Sequence, residues 1–327
     1  MSYSKLLVLA VLLALSVQFA RAQEQAEDPR TKDLPVYTKV DGLSGNLSSI
    51  GSDTLNNMMT YWGESFTKMY PNVKVSVEGK GSATAPPALI DGTAQLGPMS
   101  RKMKSDEIDA FEKKSGFKPS KIPVSLDSLA VFVNKDNPLK SLSLTEVDAI
   151  FSKSRLRENA TDITSWDQIG VSGEWAKQNI SIYGRNSASG TYGYFKEVAL
   201  KKGDFKDTVK EQPGSAAVVR SITEDKMAIG YSGIGYLTSG VRALPLAAKK
   251  GGEAYEANYE NVVSLKYPLS RELYIYYSKN PDKALGKLEK EFLKFVLSKE
   301  GQNIAIKDGY LPLTKGAVEK ALKQLEE

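Results

Sequence analysis

Strand-like and helix-like patterns alternate along nearly the whole of this 327-residue chain. That alternation restricts it to α/β architecture and predicts mostly parallel sheets. "LSGNLSSIG" at 43–51 reads as a strand, and the stretch after it places Leu55, Met58, Met59, Trp62, Phe66 and Met69 on one helical face. A Met and aromatic stripe at that spacing is core packing. Ser52 and Asp53 suit the N-cap of this helix. The same grammar continues through the strand "VKVSVEG", the short helix "APPALIDG" with prolines in its first turn, and the strand "AQLGPMS". A helix at 105–114, the strand "KIPVSLDSLAVFVN", the helix "SLTEVDAIF", the loop "ITSWDQIG" and the strand "NISIYG" follow. Helices are expected at 192–201 and 215–223, strands at "KMAIGYSG" and "YPLSRELYIYYS", and an amphipathic helix pair after 284. There is no internal repeat, and the length suits two α/β lobes.

The N-terminus, "MSYSKLLVLAVLLALSVQFARAQEQ", has a basic start, ten apolar residues from Leu6 to Leu15, and Ala20-Arg21-Ala22 before Gln23. Ten apolar residues fall well short of the ~20 that span a bilayer, so residues 1–22 read as a cleaved signal peptide. Residues 23–43, polar with two prolines, read as a flexible leader. The chain has no cysteine, which excludes disulfides and a lipid-bearing cysteine at the cleavage site. An exported, periplasmic protein without a lipid anchor is therefore expected.

Composition excludes several chemistries. With 41% hydrophobic and 25% charged residues the chain is ordinary for a globular protein. Its net charge of +5, lowered further by loss of Lys5 and Arg21 with the signal, is too mild and interspersed for nucleic acid. The absence of histidine removes imidazole bases, His-dependent triads and the common zinc sites.

Three places share one pattern, a strand, then small hydroxyl residues, then a helix start. They are "IGSDTL" at 50–55, "GKGSATA" at 79–85 and "GRNSASGTYGYF" at 184–195. Helix starts carry unpaired N–H groups and the positive end of the dipole, so each can hold an anion. Serine and threonine add donors, glycine admits close approach, and Arg185 offers a planar fork matched to an oxyanion. Singly, each could be only a helix cap; together with an arginine they favour a shared oxyanion cup. "LGPMSRKM" at 96–103 adds Ser100 and Arg101, although Arg101 also reads as a solvated charge beside Lys102 and Lys104. Asp106 and Glu107 read as solvated in a mixed-charge helix. Neither "GKGSA" nor "GYSGIG" has the spacing of a nucleotide phosphate loop. No acidic loop has calcium-ligand spacing, so neither a metal nor a cofactor is expected.

The fragments "GSDTL", "GKGS", "GPMSR", "LTEVDAIF", "ITSWDQIG", "GRNSASGT", "AIGYSGIGY", "YPLSRELYIY" and "FVLSKEGQNIAIKDGYLPL" stand in the order found in phosphate-binding proteins of ABC transporters. From Leu43 to Leu313 the chain resembles this PstS family. The resemblance implies a type 2 periplasmic binding protein fold, two α/β lobes joined by two crossover hinge strands and closing on phosphate. Lobe 1 would comprise 44–129 and 266–327, and lobe 2 would comprise 130–265. By motif, Ser52, Asp53, Thr54 and the Leu55 amide, then Ser82 and Ser100, would serve from lobe 1. Arg185, Ser189, Gly190 and Thr191 would serve from lobe 2. Arg101 stands where well-known members carry an aspartate that accepts the proton of hydrogen phosphate; Asp53 could supply that acceptor instead.

The resemblance implies a monomeric, non-enzymatic receptor for inorganic phosphate, delivering to an inner-membrane ABC permease. A secreted phosphatase-like hydrolase and a binder of another tetrahedral oxyanion, such as sulfate, molybdate or tungstate, remain open at this point. A phosphate scavenger or sensor without a permease also remains open.

Overall fold

The computed structural model describes residues 28–157 and 161–327, so the expected signal peptide lies outside the described residues. Its twelve strands, in chain order, are β1 (Gly45–Ile50), β2 (Val73–Glu78), β3 (Leu96–Met99), β4 (Ser120–Asn134), β5 (Leu142–Ser143) and β6 (Ser181–Arg185). They continue with β7 (Lys210–Gln212), β8 (Ala228–Gly233), β9 (Val241–Ala243), β10 (Leu246–Ala247), β11 (Ala254–Tyr255) and β12 (Ser270–Tyr277). The main sheet has nine strands in the order β2-β1-β3-β12-β4-β8-β6-β7, with β9 also paired to β4.

The order divides this sheet into two halves that share β4. Residues 120–128 of β4 pair with β12, and residues 129–133 pair with β8. One extended strand therefore leaves one lobe and enters the other without a turn. The return passage reaches β12 alongside it, where Leu129 N donates to Leu269 O at 3.0 Å.

Each half has its own core. One contains Met58, Trp62, Phe66, Ile122, Leu273, Phe292 and Val296, all 0% exposed, so the methionine and aromatic stripe is core as its spacing predicts. The other contains Leu129, Val131, Phe151, Trp166, Phe195 and Tyr231, also 0% exposed. Smaller clusters cover the opposite sheet faces, around Met99 and Phe111 in one lobe and Phe132 and Ile222 in the other. The result is two three-layered α/β lobes.

Three expectations need correction. The sheet is mixed rather than mostly parallel: pairs β1–β2, β1–β3, β6–β7 and β6–β8 are parallel, but β12 and β4 run antiparallel to their neighbours. The strands carrying the chain between lobes insert in the opposite sense, which local periodicity cannot reveal. Second, the leader is docked rather than free from residue 28 onward. Thr31 Oγ1 donates to Asn303 Oδ1 at 2.7 Å, Tyr37 OH to Glu291 Oε2 at 2.9 Å, and Lys299 N to Pro35 O at 2.8 Å. Leu34 and the Tyr37 ring give this polar stretch its apolar anchors. Third, the helix expected at 192–201 begins earlier, at Gly190, and widens into a π turn over Phe195–Ala199.

Candidate functional site

The turn after β1 folds as its sequence predicts. Ser52 is extended and its Oγ accepts from Thr54 N at 3.2 Å, capping the single 3₁₀ turn Asp53–Leu55 that leads into the helix Asn56–Met69. The Leu55 side chain is buried in the core, which leaves only its amide to serve a ligand. Two tyrosines brace this turn from outside, Tyr310 OH donating to Thr54 O at 2.8 Å and Tyr236 OH to Asp53 O at 3.0 Å. Burial, and then the Asp53 charge, push the Tyr236 phenol far above its ordinary range, so it stays a donor.

The turn after β2 brings Ser82 beside Ser100, which follows β3. Ser100 N donates to Ser82 Oγ at 3.0 Å, and the two hydroxyl oxygens are 3.3 Å apart. The "GRNSASGT" loop reaches this pair from the other lobe. Ala83 N donates to Ala188 O across the gap at 3.1 Å. A Cβ on Gly190 would lie 2.2 Å from Ser82 Oγ and 2.6 Å from Ser100 Oγ, so only glycine permits this approach. Ser189 Oγ caps the following helix by accepting from Thr191 N and Tyr192 N, and Thr191 Oγ1 is 2.9 Å from Thr54 Oγ1. Ser52, Thr54, Ser82, Ser100, Ser189, Gly190 and Thr191 thus meet at one buried place between the lobes.

Arg185, at the end of β6, is 2% exposed and links this place to Asp53. Its Nη1 donates to Asp53 Oδ2 at 2.9 Å and to Ser215 Oγ at 2.6 Å, while Ser215 N donates to the same Asp53 oxygen at 2.9 Å. The carboxylate of one lobe therefore sits at the start of the helix Ser215–Glu224 of the other, where the dipole favours negative charge. Arg185 Nη2 donates to Pro213 O at 3.3 Å, and its Nε is buried with no partner among the described residues, leaving that N–H to give to a ligand.

Arg101 is placed differently. Its fork makes two bonds to Glu107, at 2.7 and 2.6 Å, and a third at 2.9 Å to Lys102 O. Its side chain is 9% exposed and that of Glu107 16%, so neither is the solvated surface charge that its neighbours in sequence imply. Glu107 also accepts from Lys104 N at 2.8 Å, capping the helix Ser105–Ser115.

The structure adds residues that sequence motifs did not single out. Arg271 on β12 lies directly across the strand register from Asp127 on β4. Its Nε and Nη2 approach Asp127 Oδ2 at 2.8 and 2.6 Å, and Ile234 N donates to Asp127 Oδ1 at 3.0 Å. Arg271 Nη1 donates to Ser100 O at 2.9 Å, and Nη2 to Thr191 Oγ1 at 3.1 Å. A signal existed, because each is a charged residue inside a mostly apolar strand. Their pairing, however, depends on a register between distant segments.

A buried cup of hydroxyls, amides and guanidinium groups, drawn from both lobes, can take an oxyanion with many acceptor lone pairs. A family profile, the PBP superfamily domain, matches residues 36–300. The chain is 52% identical over 325 residues to the phosphate-binding protein PstS of Pseudomonas aeruginosa, covering 99% of each chain. It is 29% identical over 291 residues to the phosphate-binding protein PstS of Staphylococcus epidermidis, covering 87% of this chain and 84% of that one. A substrate-binding protein with bound phosphate from Clostridium perfringens superposes with a TM-score of 0.69 at 25% identity, covering 83% of this chain and 100% of that one. An ABC-type phosphate transport receptor from Vibrio cholerae shares the fold, with a TM-score of 0.63 at 23% identity over 82% of this chain and 100% of that one. The chain belongs to the PBP superfamily and, by its 52% identity over essentially the full length, to the PstS family within it.

Proposed function

We propose that this protein captures inorganic phosphate between its two lobes and delivers it from the periplasm to an inner-membrane ABC permease. The carrying observation is the meeting of three hydroxyl-rich turns with Arg185 at one buried place. Ser52, Asp53, Thr54, Leu55, Ser82 and Ser100 line it from lobe 1, taken as 44–129 with 266–327. Arg185, Ser189, Gly190 and Thr191 line it from lobe 2, taken as 130–265. Closing the lobes replaces the water around the anion with fixed donors, which favours an ion of matching shape. Arg101 spends its fork on Glu107 and Lys102 O, which supports a place for it behind Ser100 rather than on the anion itself.

Selectivity for hydrogen phosphate over sulfate needs an acceptor, since only the former carries a proton to donate. Both oxygens of Asp127 are occupied, by Arg271 and by Ile234 N. Asp53 uses one oxygen for Arg185 and Ser215 N and is the acid assigned to this task. Isothermal titration with phosphate, arsenate and sulfate tests the reading. Tight binding of phosphate and arsenate with weak sulfate binding is expected; absence of phosphate binding would overturn it.

A further inference from the structure

Arg271 is enclosed on every side. Its side chain is 2% exposed, Asp127 is 0% exposed, and the guanidinium carbon lies 5.4 Å from the centre of the Tyr194 ring. It therefore meets Asp127 on its own hinge strands, Ser100 O in one lobe, and Thr191 Oγ1 in the other. Burying such a pair is costly, and well-packed apolar residues often serve stability better. A role beyond joining strands follows from what the fork holds.

A threonine hydroxyl has one proton and two lone pairs, whereas a guanidinium can only donate. When Arg271 Nη2 fills a lone pair of Thr191 Oγ1, the hydroxyl proton must point elsewhere, toward Thr54 Oγ1 at 2.9 Å or toward an anion. The same logic applies across the gap. Arg271 Nη1 fixes the carbonyl of Ser100, whose own N–H fills a lone pair of Ser82 Oγ and turns that proton outward as well. One cation thus biases hydroxyls of both lobes toward donating.

We propose that Arg271 is a positioning residue of the anion site, fixing Thr191 Oγ1 and the Ser100 segment so that the cup presents protons to a phosphate held between the lobes. This rests on the phosphate-binding reading above. It also ties closure to the ligand, because the bond to Thr191 spans from the hinge to the second lobe.

The test is a double-mutant cycle on the full chain, titrated with inorganic phosphate: wild type, Arg271→Lys, Thr191→Val and the pair. Lysine keeps the charge beside Asp127 but lacks the fork that reaches both partners. Each single variant should lose on the order of tenfold to a hundredfold in affinity, and the pair little more than the larger single loss, because the residues act as a unit. Melting of the ligand-free variants separates this from a purely structural role, with the cycle read below each melting temperature. A lowered melting temperature with unchanged affinity in Arg271→Lys, or losses that multiply in the pair, would overturn the proposal. Failure of the wild type to bind phosphate would instead overturn the functional reading, and this inference with it.

Discussion

Two arginine–aspartate pairs share their chemistry and differ in what they join. Arg271 and Asp127 face each other across neighbouring strands, with side chains 2% and 0% exposed. Arg185 and Asp53 come from opposite lobes, and the Asp53 side chain is 22% exposed beside an arginine at 1%. The first pair belongs to the connection between lobes and can persist through any hinge motion about it. The second can exist only when the lobes meet. The same ion pair therefore serves as a fixture in one place and a latch in the other, and the two should fail differently.

The largest effect expected is on stability, at the fixture. Asp127→Asn removes the charge partner of a fully enclosed guanidinium and should cost about 3–5 kcal/mol of folding free energy. Urea unfolding of the ligand-free protein measures this, and a loss no greater than that of Arg185→Ala would erase the distinction. Arg185→Ala should act mainly on ligand affinity, losing about 2–5 kcal/mol, since a solvated Asp53 tolerates its absence once the lobes part. Calorimetry returning wild-type affinity for Arg185→Ala would remove the latch from the mechanism.

Gly190→Ala sharpens the same comparison without touching a charge. The added carbon would meet Ser82 and Ser100 across the gap, at 2.2 and 2.6 Å, and nothing comparable within its own lobe is among its three nearest contacts. Overpacking of this kind costs about 1–3 kcal/mol, and here only the closed form bears it. Weaker phosphate binding with a nearly unchanged ligand-free melting temperature is the expected result. A matching drop in ligand-free stability would show that the contact persists in the absence of ligand.

The sequence carried the parts of this site that are built locally. Ser52, Ser82 and Ser189 lie in turns before helix starts, so glycine, hydroxyl and capping chemistry disclosed them at short range. Residues brought in by tertiary register were hidden. Asp127 and Arg271 are 144 residues apart, and nothing in either strand names the other. Ser215 read only as part of a helix, and its role depends on Asp53 reaching it from 162 residues away. Arg101 shows the converse. Lys102 and Lys104 in sequence suggest solvent, while Glu107, six residues on in the first turn of the next helix, buries it through a fork-to-carboxylate pair. The α/β class was legible because its periodicities are local. The antiparallel crossing strands were not, because strand direction is fixed by partners.

A third acid gives the smallest of these effects and the clearest contrast, because it has no arginine. Asp308, at the end of the helix Lys299–Lys307, has its Oδ2 buried without a partner among the described residues. Burial pushes its carboxyl up to about 7, and a hydrogen bond from Asn57 only partly offsets this. A carboxyl raised in the folded state holds its proton where the unfolded chain has lost it. Between about pH 4 and 7 the native state then binds more protons than the unfolded one, so this acid makes stability fall as pH rises. Asp308→Asn should raise the melting temperature at pH 8, leave it nearly unchanged at pH 4, and flatten the slope between. Asp53→Asn and Asp127→Asn instead each take a charge away from a guanidinium, and should weaken latch or fixture at neutral pH. A parallel response of all three variants would mean that the arginine partner does not decide what a buried aspartate contributes.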